Sequence, residues 1–302
     1  MSVVPKCRIC QSDESNQHVR APHVFGGEGT HQFWECDDCS AIYLNPIPSM
    51  EDEKRFYVQE FEKFMSTRVG DHRDWSNAEI HKKTNQDQVK RRMPFLQEHV
   101  QKGMDLLEIG CSSGFMLDAF RDTGVNCVGV EPSGEFNEFL EQSGHSVVCD
   151  LCEITNQKFD VITHFFVFEH IRDPYKFLKD SYDLLKDGGV MICEIPCAND
   201  PLTSMYDIEA FEKFYWSIAH HYYYSPQSLS YVLDQLGYRY ELVPEQRYDL
   251  SNHMTWMLDG KPGGQGRFTG HFGEDVLTAY RKQLIDTWQC DTIFFYVWKD
   301  PS

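Results

Sequence analysis

The sequence predicts an α/β chain built on a mostly parallel sheet, and three observations carry that prediction. Short apolar runs recur near residues 104–109, 126–131, 146–149, 159–165 and 189–195, with helix-patterned stretches between them. The first run, Leu106-Leu107-Glu108-Ile109, enters the small-residue turn Gly110-Cys111-Ser112-Ser113-Gly114. Glu131 ends the second run, twenty-one residues after Gly110. Such a turn admits close backbone approach of a ligand, and a carboxylate one strand later can accept hydrogen bonds from both hydroxyls of a ribose. The pattern points to an adenosine-containing cofactor. It lacks the G-x-G-x-x-G spacing that a pyrophosphate requires.

The elements follow in order. Cys7-x2-Cys10 and Cys36-x2-Cys39 are two knuckles twenty-five residues apart, a spacing that can close a tetrahedral zinc site. Four thiolates leave no open position, so the zinc is expected to be structural, in a ribbon over 1–48 too thin to fold without metal. Asn45-Pro46-Ile47-Pro48-Ser49 links it to a lid region, 49–103, which opens with a helix from Glu51 to about Phe64. Residues 66–83 are polar and read as a mobile loop. Val89, Met93, Leu96 and Val100 then mark a helix that Pro94 should kink.

The main domain, 104–302, carries the five runs. A helix at 226–236 starts after the cap Ser225-Pro226, and a last strand runs over Thr292–Trp298. Insertions fall at about 197–224 and 249–290. Both leave the ends of strands where ligands bind in open α/β sheets. Cys111, Cys127, Cys149, Cys152, Cys193, Cys197 and Cys290 lie in or beside strands and are expected to act as small apolar residues.

Composition limits the function. At 302 residues, 41% hydrophobic and 14% aromatic, the chain can bury a sizeable core. No apolar run reaches membrane length and no signal-type segment opens the chain, so a cytoplasmic protein without disulfides is expected. The net charge of −19 opposes a nucleic-acid partner. The basic residues Lys82, Lys83, Lys90, Arg91 and Arg92 read as a solvated helix face.

The turn also resembles the E/D-x-G-x-x-x-G signature of class I S-adenosylmethionine-dependent methyltransferases, with Ser112 where a glycine is frequent. That resemblance implies a Rossmann-like methyltransferase sheet, mostly parallel with the last strand antiparallel, and S-adenosylmethionine as cofactor. By it, Glu108 and the Gly110–Gly114 backbone face the methionine end, Glu131 the ribose, and Asp150 with Leu151 the adenine. Cys111, Ser112, Phe115, Pro132 and Phe165 complete the implied cofactor set. Residues 7–57, with the knuckles, Asn-Pro-x-Pro and Phe56-Tyr57, resemble the N-terminal module of bacterial methyltransferases that include sugar-modifying ones.

Three constellations are candidates for the chemistry. Phe168-Glu169-His170-Ile171-Arg172-Asp173-Pro174 resembles the Leu-Glu-His-x-x-Asp-Pro run of the same superfamily and supplies Glu169 and His170. Trp216 to Pro226 holds His220, His221 and three tyrosines just before a helix, where a pocket should open. It resembles the His-x-x-Tyr-x-Ser segment of zinc-carrying sugar C-methyltransferases, which puts His220 on their general base. His220 and His221 are not separable by spacing. Tyr57, Asn199, Tyr222 and Asn252 are the expected acceptor contacts. Gly260 to Arg267, with Lys261 and Arg267, could hold a phosphate, although a solvated turn fits it better.

Those C-methyltransferases carry a further C-terminal domain, whereas this sequence stops after the last predicted strand. O-methylation of a sugar, nucleotide-sugar or other small hydroxylated acceptor by a histidine base is therefore the expected activity. C- or N-transfer to a sugar is the alternative. A protein or RNA methyltransferase guided by the ribbon, or a scaffold that binds the cofactor without turnover, are the competing readings.

Overall fold

The computed structural model describes residues 4–69 and 77–301. Two sheets organise it. The larger contains β4 (Asp105–Ile109), β5 (Asn126–Val130), β6 (Ser146–Val148), β7 (Phe159–Phe165), β8 (Leu185–Pro196), β10 (Arg239–Glu245) and β11 (Thr292–Trp298). Their order is β10-β11-β8-β7-β4-β5-β6. Strands β6 to β8 in that row pair in parallel, and β11 runs antiparallel to both neighbours. Every predicted strand is present, because the apolar runs face helices on both sides and have no solvated face to serve.

The smaller sheet contains β1 (Gln17–Ala21), β2 (Gln32–Cys36), β3 (Ile42–Asn45) and, from the first insertion, β9 (Tyr222–Tyr223). Tyr223 pairs with Ile42 and Tyr222 with Tyr43. Cys7, Trp34, Cys36 and Tyr43 share one apolar cluster with Leu178, Tyr222, Tyr224 and Leu229. The cysteine-rich segment thus has no core of its own, and the expected boundary at residue 48 is crossed by both backbone pairing and packing.

Helices α1 (Met50–Arg55) and α2 (Phe61–Val69) are joined by a π-helical turn over Phe56–Glu60, so the expected helix runs past Phe64. Ser49 caps α1 by accepting the Asp52 N–H. The loop expected over 66–83 needs correction. Asp71, His72, Arg73 and Asp74 lie outside the described residues, but α3 (Ala78–Thr84) is a helix whose cap, Asn77, accepts the Ile80 N–H. The polarity of this stretch concealed two buried side chains, Ala78 and His81, and His81 Nδ1 lies 2.8 Å from Ser113 Oγ in the turn after β4.

Helix α4 (Gln86–Leu96) contains Pro94 and leads into β4. Its arginines are not solvated as expected. Arg92 is three residues from Val89 and four from Leu96, on the buried stripe. It donates from Nε to Glu194 Oε2 at 2.7 Å, and Arg91 donates to Glu194 Oε1 at 2.5 Å. Glu194 is wholly buried in β8, and the two cations hold its carboxyl below the usual range against the opposing effect of burial.

The sheet is covered by α5 (Phe115–Asp122), α6 (Gly134–Gln142), α7 (Pro174–Leu184) and α10 (Pro226–Leu236). Helix α10 begins at the predicted residue, with a capping box between Ser225 and Ser228. The insertions form α8 (Pro201–Ser204) and α9 (Glu209–Tyr215), then α11 (Leu250–Asp259) and α12 (Glu274–Asp286). Cys149 and Cys152 are exposed, which corrects the expectation that they pack as apolar residues. They follow the short β6 at the edge of the sheet, where Cys149 still accepts from Asn137 of α6 at 3.6 Å. Among the described residues no helix is long and apolar enough to cross a membrane.

Replacing Glu194 with alanine leaves two arginines that it neutralises without their partner. We expect a loss of about 3–5 kcal/mol in unfolding free energy, measured by urea denaturation.

Candidate active site

The turn after β4 has the geometry of a cofactor cradle. Gly110 and Gly114 have φ of +72° and +75°, which glycine adopts without strain. A Cβ on Gly110 would stand 2.5 Å from Val167 Cγ2, and one on Gly114 2.5 Å from Leu140 Cδ2. Ser112, the departure from the signature, is also left-handed at φ +49° and keeps its place by donating its N–H to Glu131 Oε2 at 2.7 Å. Glu131 Oε1 accepts the Ser133 N–H at 2.9 Å. The Glu131 carboxylate is thus oriented by two amides.

Glu108 lies at the floor of the cradle, wholly buried, with Oε2 lacking a protein partner. Burial pushes its carboxyl up to about 8, with Arg92 opposing and Glu131 reinforcing. An orphaned buried acceptor at this point fits a ligand that brings a cationic or amino group. Arg92, not anticipated from the sequence, lies with its guanidinium 4.3 Å from the Phe165 ring centre and 5.7 Å from that of Phe115. Its signal was its position on the apolar stripe of α4.

The remaining expected cofactor residues sit around this cradle. Cys111 is buried and its thiol is held far above its ordinary range by burial, which suits packing and not nucleophilic chemistry. Pro132 is exposed after β5. Asp150 is exposed and caps a single turn over Leu151–Glu153 by accepting the Cys152 N–H at 2.8 Å.

The loop after β7, whose Val167 side chain stands against Gly110, supplies the second half of the site. Glu169, His170 and His220 converge there, each offering a ligand-type atom within 4.8 Å of the others. The rings of His170 and His220 are perpendicular with centres 4.6 Å apart. Glu169 Oε2 and His220 Nδ1 are buried and have no protein partner. Burial raises Glu169 to about 8 and lowers His170 to about 4. His220 is driven well below the ordinary histidine value by burial and then by His170. Both histidines are therefore neutral at pH 7.

Second contacts orient this cluster. His170 Nδ1 lies 2.7 Å from the Ala219 carbonyl, which can only accept, so the proton sits on Nδ1 and the lone pair on Nε2. Tyr57, expected at the acceptor, donates its hydroxyl to the same carbonyl at 2.9 Å. The His221 N–H donates to the Glu169 carbonyl at 2.8 Å.

His221 separates from His220 here. Its Nε2 lies 3.3 Å from Glu53 Oε2, and its Nδ1 lies 3.4 Å from both terminal nitrogens of Arg8. Arg8 can only donate, so Nδ1 accepts and Nε2 carries the proton toward Glu53, leaving no free lone pair. His220 and His221, not separable by spacing, thus differ in their partners, and His221 also lines the cleft beside the cluster. Three acceptor candidates donate to backbone carbonyls, although Asn252 Oδ1 is buried without a protein partner. Tyr222 donates to the Arg172 carbonyl at 3.3 Å beneath the Arg8 guanidinium, Asn199 to the Trp288 carbonyl at 3.0 Å, and Asn252 to the Gly263 carbonyl at 2.7 Å. Arg267 pairs with Asp259 and Lys261 is exposed, so the glycine-rich loop is a solvated turn.

A cleft of about 630 Å³ opens beside the cluster, between α1–α2 and the 217–221 segment. Phe25, Phe56, Tyr57, Phe64, Ile218 and Glu53 line it. Phe56 and Tyr57 were marked by the sequence, whereas Phe25, Phe64, Ile218 and Glu53 carried no signal, since a half-buried helix face looks the same with or without a ligand.

At the N-terminal end, the sulfurs of Cys7, Cys10, Cys36 and Cys39 lie within 4.8 Å of one another. The N–H groups of Ile9 and Cys10 point to Cys7 Sγ at 3.4 and 3.5 Å.

Exchanging Gly110 for alanine forces a Cβ onto Val167 and strains a left-handed backbone. S-adenosylmethionine affinity should fall at least about tenfold, equivalent to about 1.4 kcal/mol, by calorimetric titration. An unchanged affinity would remove the turn from the cofactor site.

Comparison with known proteins completes the evidence. Residues 81–243 match the Methyltransferase domain family. The ubiquinone biosynthesis O-methyltransferase of Ruegeria pomeroyi is 35% identical over 102 residues, covering 30% of this chain and 40% of that protein. The protein of the same name from Dinoroseobacter shibae is 27% identical over 150 residues, covering 45% of this chain and 60% of that protein. The chain therefore spans less than two thirds of these relatives. A solved complex between the Haloferax volcanii Trm112 methyltransferase activator and a methyltransferase shares the fold, with a TM-score of 0.50 at 17% identity over 82% of this chain and 98% of that one. With the family matched over more than half the chain, on the sheet and turn just described, this protein belongs to the methyltransferase-domain family.

Proposed function

We propose that the chain transfers a methyl group to a hydroxyl of a small acceptor, with a sugar or nucleotide-linked sugar as the preferred class. The observation that carries this reading is the open Nδ1 of His220 in the buried Glu169–His170–His220 cluster, a few residues from the Val167 side chain that packs on the cofactor turn. S-adenosylmethionine supplies a methyl group on a sulfonium, already activated for transfer to a nucleophile. Glu108, Glu131, the Gly110–Gly114 backbone and, at the adenine end, Asp150 with Leu151 would hold it. The protein's remaining tasks are to align the acceptor oxygen and to take its proton.

His220 is assigned the second task. It is neutral, its Nδ1 has no protein partner, and the Glu169 carboxyl stands beside it. Tyr57 and Ala219 hold His170 in one tautomer, so that Nε2 can accept a hydrogen bond from the acceptor. His221, Glu53, Arg8 and Arg172 instead form the frame that fixes the segment.

The name shared by the relatives supports oxygen as the atom methylated. The sugar assignment rests on the resemblance of residues 7–57 and of the His220-x2-Tyr223-x-Ser225 segment. A phenolic hydroxyl is the second reading, favoured by the aromatic lining of the cleft. The four converging thiols support a structural zinc, which would tie 4–49 to the frame around His221 through Arg8.

His220→Ala should abolish turnover while S-adenosylmethionine affinity stays within about twofold, and His221→Ala should retain turnover at a reduced folding stability. Product formation against nucleotide sugars and catechol-type phenols, scored by mass spectrometry, checks both the base and the acceptor. Turnover by the His220 variant would remove the base. Transfer to phenols alone would replace the sugar reading.

Zinc content gives a further check. One zinc per purified chain is expected, and its removal by a chelator should lower the unfolding temperature of the whole chain in one transition, because the cysteine segment shares the main core.

A further inference from the structure

The Glu169–His170–His220 cluster has a second chemical property, independent of the order in which acceptor and cofactor bind. We propose that it is a binding site for a single divalent transition-metal ion of the zinc and cobalt kind, held by Glu169, His170 Nε2 and a ring nitrogen of His220. Two imidazoles and a carboxylate from two separate loops reach within 4.8 Å of one another, the span that one ion can bridge. Such ligands suit zinc and cobalt, whereas calcium and magnesium prefer sets built from oxygen.

Two further observations point to a ligand at this place. Glu169 is 1% exposed and His220 is 7% exposed, yet Glu169 Oε2 and His220 Nδ1 have no protein partner. Buried polar atoms are normally satisfied, and two orphaned atoms in one cluster call for a ligand. His170 meanwhile has the second contact typical of a metal-binding histidine, its Nδ1–H given to a carbonyl, which directs the lone pair of Nε2 away from that carbonyl.

Around the cluster, Arg68 and Arg247 act on Glu169 and Arg68 also on both histidines, opposed by Glu194 at Glu169 and by Glu53 at His170. Three protein ligands would leave a position for water. The ion takes the lone pair that His220 needs as a base, so its occupancy blocks methyl transfer. The blocking step rests on the assignment of His220 proposed above, whereas the binding step does not.

The test is a calorimetric titration of Co2+ into the full chain carrying its cysteine-bound zinc, with the visible spectrum recorded on the same sample. One Co2+ per chain beyond that zinc is expected, without the intense thiolate-to-cobalt band that exchange into the cysteines would produce. His220→Ala and Glu169→Gln should each weaken this uptake at least about tenfold, equivalent to about 1.4 kcal/mol. Parent-level zinc content and S-adenosylmethionine affinity in the variants show that they are folded. No uptake by the parent, uptake seen only as the thiolate band, or uptake unchanged in both variants overturns the site. Turnover should fall along the same titration. A rise would support the site and overturn the free-histidine base instead.

Discussion

The segment from Trp216 to Ser225 is the constraint on which the arrangement of the site depends. It is extended, short and rich in rings, and it has almost no regular structure of its own. Its backbone is held from four directions. Phe25 donates to Trp216, Leu44 to His221, His221 to Glu169, and Ala198 to Tyr224. The two-residue pairing with Ile42 and Tyr43 adds it to the sheet of the cysteine-rich segment. Each tie alone is modest, about 1 kcal/mol. Together they bring the ring of His220 to that of His170 while turning His221 outward to Arg8 and Glu53.

The two halves of the site are coupled through one side chain. Val167 lies two residues before Glu169 and packs where a Cβ on Gly110 would otherwise be. The close approach of that loop to the cofactor turn therefore requires glycine on one side and sets the reach of the acceptor cluster on the other. Behind this contact, Glu194 gathers Arg91 and Arg92, pinning α4 to the carboxyl end of β8. The result is a wall of charge and rings next to Glu108, in a protein whose overall charge is strongly negative.

The sheet was legible because its signals are local. Each strand is a short apolar run, and each turn or cap, such as Gly110-x3-Gly114 and Ser225-Pro226, is set by backbone conformation and nearest neighbours. The cofactor acids were legible for the same reason, since their distance from the turn follows from strand and helix lengths. The buried role of Arg92 was available in principle, as it lies on the apolar stripe of its helix, but five basic residues in one stretch favoured a solvated reading.

What the sequence by itself determined was the α/β class, the strand order along the chain, the turn with its acids and the four cysteines. What only the tertiary structure decided was which of two adjacent histidines faces Glu169 and His170, and that the cysteine-rich segment completes its sheet with a strand from the far insertion. It also decided that the Asn199 amide, the Tyr222 hydroxyl and the Asn252 amide N–H donate to backbone carbonyls. These outcomes depend on contacts between residues up to 213 positions apart, such as Arg8 with His221. Spacing along a chain carries no information about which partner reaches a ring nitrogen first, because that is settled by packing and hydrogen-bond satisfaction in three dimensions.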